Sequence, residues 1–207
     1  MKNIKFSLLS FMLILIISTG SAQESNRVRA GLIRTQLTLS PSYMLSTHQS
    51  NFYLHGTLEG FITDKISLAG EAYYGLGNLS TEKDPFRFNH SVFWGIAKHF
   101  VKNNHDLYIG FQPGVSIAQL NENFMEEKGS KTHIGVNPLA SVSLGYNFFF
   151  SQIFHFFIQT RLVMGDHSYD EPKNISEIRL SMGLGFNFNA IRDKSGERKS
   201  LKEMLTN

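Results

Sequence analysis

Six charged residues of this 207-residue chain fall in places where charge is costly. Arg34, Glu59, Glu71, Arg161, Glu177 and Arg179 each lie within a run in which apolar and polar residues alternate, and each is on the polar side of its run. Three are positive and three negative, so in a confined space the set can neutralise itself pair by pair, as buried charge requires. Such a set offers ion pairing rather than turnover. His90, His99, His133, His155 and His167 have no metal-ligand spacing, so no metal site and no cofactor is assigned. Acidic residues gather in two connections, Glu122, Glu126 and Glu127 in one and Asp166, Asp170 and Glu171 in the other. They read either as a solvated, divalent-cation-tolerant surface or as a partner or ligand site.

The elements that must position these charges are strands. From Glu177 to Phe188 the even positions Ile178, Leu180, Met182, Leu184, Phe186 and Phe188 are all apolar, and the odd positions are all polar or small. Period-two alternation gives one oily face and one wet face. Seven further runs share the pattern, at 31–39, 52–62, 66–74, 88–101, 107–116, 140–148 and 154–164. In the fourth, Val92, Trp94 and Ile96 share one face while Phe93 and Ala97 take the other, which leaves its facing open. Pro113 predicts an edge or bulge in the fifth. The connections read as long at 41–50, 75–87, 121–132 and 165–174, and as tight turns at 63–65, 103–105 and 150–152.

The chain opens with an address. Lys2 and Lys5 precede the apolar run from Leu8 to Ile17, and Gly20-Ser21-Ala22 supplies small residues. This predicts a signal peptide at 1–22, cleaved after Ala22, because the apolar run is about half the ~20 residues of a spanning helix. With no Cys, disulfides are excluded. Cleavage removes Lys2 and Lys5 from 20 basic residues and leaves 17 acidic ones, so the formal charge falls from +3 to about +1. Nothing in that balance suggests a nucleic-acid partner.

Eight strands with alternating long and short connections place both termini on one side. The fold class is all-β: an eight-stranded antiparallel up-and-down transmembrane β-barrel over 23–189, followed by a periplasmic tail at 190–207. A soluble, secreted lipocalin-like binding barrel has the same strand count with its oily face inward. Two features favour the membrane. The six charges need a narrow lumen, and Phe52, Tyr74, Trp94, Tyr146, Phe148, Phe154, Phe156, Phe186 and Phe188 on the oily face suit aromatic girdles. An eight-stranded lumen is just filled by side chains, and Tyr53, His55, Tyr73, Tyr108, Gln112, Phe157 and Gln159 add bulk there, so a general pore is not expected.

On this pattern the chain from about Val28 to Phe188 resembles the small eight-stranded outer-membrane barrels, similar to the OmpA transmembrane domain and OmpX. The resemblance implies a Gram-negative outer membrane, contact with its lipid and lipopolysaccharide, a monomer, and a structural or loop-mediated surface role. It also implies that the barrel-assembly machinery reads the aromatic end of the last strand, here Phe186 and Phe188. The sequence departs from the family by continuing past that strand to Asn207. One further resemblance concerns His48-Gln49-Ser50-Asn51, which is similar to the His-x-Ser-Asn motif of outer-membrane lipid A deacylases. There His48 would activate Ser50 for attack on an acyl ester; the sequence places no orienting carboxylate, although Glu82 or Asp84 could approach from a neighbouring loop. In that family the motif lies late in the chain, whereas here it follows the first strand, so a lipid A-modifying hydrolase is the alternative and no enzyme is the reading.

Overall fold

The computed structural model describes residues 28, 30–78, 85–122 and 131–189. The segments read as signal peptide and tail, together with Glu82, Asp84, Glu126 and Glu127, lie outside the described residues.

Eight long strands dominate: β1 (Leu32–Met44), β2 (Ser50–Phe61), β3 (Ile66–Asn78), β4 (Phe86–Lys102), β5 (His105–Leu120), β6 (Ile134–Phe148), β7 (Phe154–His167) and β9 (Glu177–Asn189). A two-residue strand, β8 (Lys173–Asn174), pairs with the end of β7. Each long strand pairs antiparallel with its predecessor, β7 pairs with β9, and β9 returns to β1. The sheet therefore closes, and no long strand has a free edge. The long strands run 12 to 17 residues, beyond the ~9–11 that a tilted membrane crossing needs.

Facing follows the alternation. Leu37 is 68 % exposed, Leu58 60 % and Leu184 58 %, all on the outside, while Arg34, Arg161 and Arg179 are each 1 % exposed on the inside. The open question on β4 resolves with Val92, Trp94 and Ile96 outward and Phe93 and Ala97 buried. A soluble lipocalin-like arrangement would reverse this, so that alternative fails: the oily face is the outer one.

Three sequence expectations need correction. The first connection is residues 45–49, not a long loop over 41–50, because β1 continues through Pro41 to Met44 and pairs Pro41 with Phe52. Pro41 is tolerated where the β1–β9 ladder is interrupted, between Gln36↔Gly185 and Ser42↔Arg179. In that gap the Thr38 and Ser40 hydroxyls donate to the Met182 and Leu180 carbonyls at 2.6 and 2.9 Å. Pro113 marks neither an edge nor a bulge: it keeps its register with Ala140, while the β4–β5 ladder skips from Phe93↔Gly114 to Ile96↔Phe111. Trp94 stands opposite Gly70 in mid-belt rather than at a girdle.

Register shifts lie elsewhere, one at Arg87, since Phe86 faces Leu120 and Phe88 faces Gln119, and one on β3. Phe52 faces Gly77 and Tyr53 faces Gly75, so Leu76 is the extra residue on β3. Gly77 has φ +112°, which an L side chain rarely adopts. Inside the barrel, glycine makes room for rings. A Cβ at Gly145 would lie 2.2 Å from the Tyr108 ring, one at Gly114 2.4 Å from Phe93, and one at Gly185 2.3 Å from His155. Each of these glycines is the direct cross-strand partner of its ring.

Candidate functional site

The inward charges form three groups along the barrel. Nearest the tight turns, Arg34 of β1 holds Glu59 through Nε at 2.8 Å and through Nη2, and its Nη1 donates to Asp106 Oδ2 at 3.0 Å. His99 bridges the two carboxylates, 3.1 Å from Glu59 and 2.9 Å from Asp106. Ser67 and Asn147 donate to Glu59 and Asp106 in turn. The Arg34 guanidinium lies 5.3 Å from the Phe61 ring centroid and 5.5 Å from that of Tyr108.

At mid-height Arg161 of β7 reaches Glu71 of β3. Its Nη1 donates to Gln112 Oε1 and Ser141 Oγ at 2.5 and 2.6 Å. Glu71 is enclosed: Gln112 donates at 3.0 Å, Tyr73 at 3.2 Å and Gln159 at 3.3 Å, and His55 Nε2 lies 2.9 Å away. His55 also stacks on Tyr73 with centroids 4.0 Å apart.

Toward the loop end, Arg179 of β9 donates from Nε to Glu177 at 2.9 Å and from Nη1 to Ser91 of β4 at 2.7 Å. Tyr53 donates to both Glu177 oxygens, at 3.0 and 3.2 Å. The Arg179 guanidinium sits 4.3 Å from the ring centroids of both Tyr53 and Tyr73. Arg161 and Arg179 are direct cross-strand neighbours, an arrangement that like charge disfavours. Each escapes it by turning to its own carboxylate.

Apolar clusters lie at both ends of this polar column. Met44, Phe86, Leu120, Leu139, Val163 and Ile175 pack together at the loop end, and Val28, Leu32, Phe61 and Phe149 at the turn end.

All six charges picked from the sequence thus meet in pairs, Arg34 with Glu59, Arg161 with Glu71 and Arg179 with Glu177. Asp106 and His99 were missed, as were both apolar clusters. Asp106 sits beside the tight turn, where the alternation had not yet begun; a charge flanked by His105 and Leu107 was the available signal.

Other sequence candidates lie apart from the column. His48, at φ +57°, places Nδ1 3.0 Å from the Tyr43 hydroxyl, while Ser50 opens β2 opposite Tyr43. Phe186 and Phe188 face outward at the turn end of β9, with Phe186 5.0 Å from the Phe154 ring. At the loop end, Asp166 of β7 accepts from Asn174 of β8 at 2.8 Å and Glu171 pairs with Lys173 at 3.2 Å. Asp170 accepts from the His133 amide and contacts its ring Nδ1, both at 2.8 Å. These bonds hold the Asp170 carboxyl below the usual aspartate range, the ring contact first. Among the described residues no group of three or more His, Cys, Asp or Glu could hold a metal ion.

A closed eight-stranded barrel with an oily exterior and a packed, paired polar interior has the fold of the small outer-membrane β-barrels. Solved structures agree on that fold. Neisserial surface protein A (NspA) is 13 % identical with a TM-score of 0.62, over 77 % of this chain and 98 % of that one. The outer membrane protein OprG from Pseudomonas aeruginosa is 12 % identical with a TM-score of 0.63, over 81 % and 100 %. Ail, the attachment invasion locus protein of Yersinia pestis, solved in complex with the heparin analogue sucrose octasulfate, is 12 % identical with a TM-score of 0.52, over 77 % and 99 %. No family model and no curated protein matches the chain.

Proposed function

We propose that this chain is a monomeric integral outer-membrane protein whose lumen is a structural core and whose loop end serves surface contact. One observation carries the reading: the interior is charged with each buried arginine paired to a carboxylate, while the exterior is leucine- and phenylalanine-rich. Water-soluble barrels do the opposite, and a lipid-facing strand needs this arrangement. The signal peptide cleaved after Ala22, the assembly signal at Phe186 and Phe188, and contact with lipopolysaccharide belong to the same reading.

The two apolar clusters support a closed lumen rather than a solute pathway. This reading assigns His48 and Ser50 no catalytic role; the contact that the structure gives the His48 ring is an exposed one, Nδ1 to the Tyr43 hydroxyl at 3.0 Å. Membrane fractionation with heat-modifiable gel migration tests the proposal. We expect recovery in the outer-membrane fraction with a shift on boiling; recovery in the soluble periplasm would overturn it.

A further inference from the structure

On the outer face of β2, β3 and β4 the oily belt is cut away. A Cβ at Gly60 or Gly70, both on the lipid-facing side, would meet nothing within 4 Å. Leu58, Ile62, Leu68 and Trp94 wall the depression. The registers Gly60↔Leu68, Gly70↔Trp94 and Ile66↔Lys98 align it with the strands, leading from mid-belt toward the tight turns. At ~3.4 Å per residue, Trp94 and Lys98 stand about 14 Å apart along β4.

The groove ends at a basic rim. Lys65, Lys98 and Lys102 surround Phe100 there, with Lys98 Nζ 5.7 Å from the Phe100 ring centroid. Among the described residues none of the three pairs with a carboxylate, and Asp64 in the same turn accepts from the Ala30 amide. A lysine on a lipid-facing strand lays its stem on apolar surface and carries its ammonium to the interface. Three unpaired ammonium groups there call for anionic oxygen, and an acyl-sized groove leads away from them.

We propose that this face binds one anionic glycerophospholipid, its phosphate among Lys65, Lys98 and Lys102 and one acyl chain lying along Gly60 and Gly70 against Trp94. The proposal rests on the membrane placement argued above. Charge complementarity at the rim selects a phospholipid over a second copy of the chain, whose own basic rim would be repelled.

Trp94 is the only tryptophan of the chain and provides the readout. The full chain is reconstituted in bilayers carrying brominated acyl chains on either phosphatidylglycerol or phosphatidylcholine. We expect the anionic lipid to quench Trp94 roughly twofold more strongly at equal mole fraction, an enrichment of the size that basic clusters produce at membrane surfaces. The K65Q/K98Q/K102Q variant should bring the two lipids level, and Gly70→Leu, which fills the groove, should do the same, with heat-modifiable migration retained in both. Equal quenching of the native chain by the two lipids would overturn the site alone. Quenching by neither would overturn the membrane placement as well, and a preference surviving in the lysine variant would overturn the headgroup assignment.

Discussion

Arg34 and Asp106 stand on opposite walls of the barrel, β1 and β5, and meet across the lumen at 3.0 Å. The relationship recurs. Arg161 on β7 reaches Glu71 on β3, and Arg179 on β9 reaches Ser91 on β4, each four strands away around the ring. The β1–β5 and β3–β7 spans lie a quarter turn apart, so the lumen is braced in two perpendicular directions. A buried guanidinium is tolerated here because every one has a carboxylate and further acceptors.

Removing one end of such a brace strands the other. Arg161→Met should destabilise the barrel by roughly 3–5 kcal/mol, since Glu71 is left buried without its cation. Adding Glu71→Gln should recover part of the loss. Urea unfolding in detergent micelles or lipid vesicles measures both, and a neutral single variant would show that the pair contributes little.

Ring-over-glycine packing predicts a second set of effects. Gly145→Ala places a methyl where the Tyr108 ring lies, and overpacking of this kind costs about 1–3 kcal/mol. The temperature of the heat-modifiable transition should fall. Tyr108→Ala in the same chain should relieve the clash, so the double variant should lose less than the two single losses together.

Conductance should be absent. In planar bilayers the native barrel is expected to show no channel events, and neither Phe86→Ala nor Phe61→Ala alone should open it. Each variant thins one cluster and leaves the other cluster and three charge groups in place. Steady single-channel currents from the native chain would contradict the closed lumen.

The outer loops carry an acid-sensitive clasp. Asp170 of the last loop holds His133 at the end of the preceding one. Its carboxyl titrates below the ordinary aspartate value of about 3.9. A depressed acid stabilises the folded loops fully above its unfolded value and loses that contribution as pH falls through the folded one. Protease nicking of the loops should therefore rise as pH falls below the usual aspartate range. Asp170→Asn should remove that acid step.

For the hydrolase alternative, lipid A mass spectra from cells with the native chain and with Ser50→Ala should be identical. A difference would return His48 and Ser50 to consideration.

The strand count and the facing of seven strands were legible from period-two alternation, which also puts the six charges on the polar faces. What was lost lay at strand ends. Met44, Phe86, Leu120, Leu139 and Ile175 are buried apolar residues at or just beyond strand ends, so there the inner position is oily rather than polar and the contrast that marks the faces along the strand middles breaks down. Pro41 compounded this by looking like a loop residue, because its missing donor is accommodated by an interruption in the β1–β9 ladder that no local pattern announces. Asp106 was invisible as a lumen residue for a related reason. Its role depends on Arg34, far away in sequence, which only the folded barrel brings across the lumen to the β4–β5 hairpin that already holds His99.

The interrupted seam has a mechanical meaning. β1 and β9 are joined by two short zippers, Leu32–Gln36 and Ser42–Met44, with two hydroxyl bonds between them. The longest unbroken run in this seam is five register pairs, whereas every other neighbouring pair of long strands has an unbroken run of at least seven. Under load applied to the C-terminal end, the barrel should tear along this line first, in two separate yields. During assembly the same line is where a nascent sheet can close last, one zipper at a time, while the cross-lumen arginines are still finding their carboxylates.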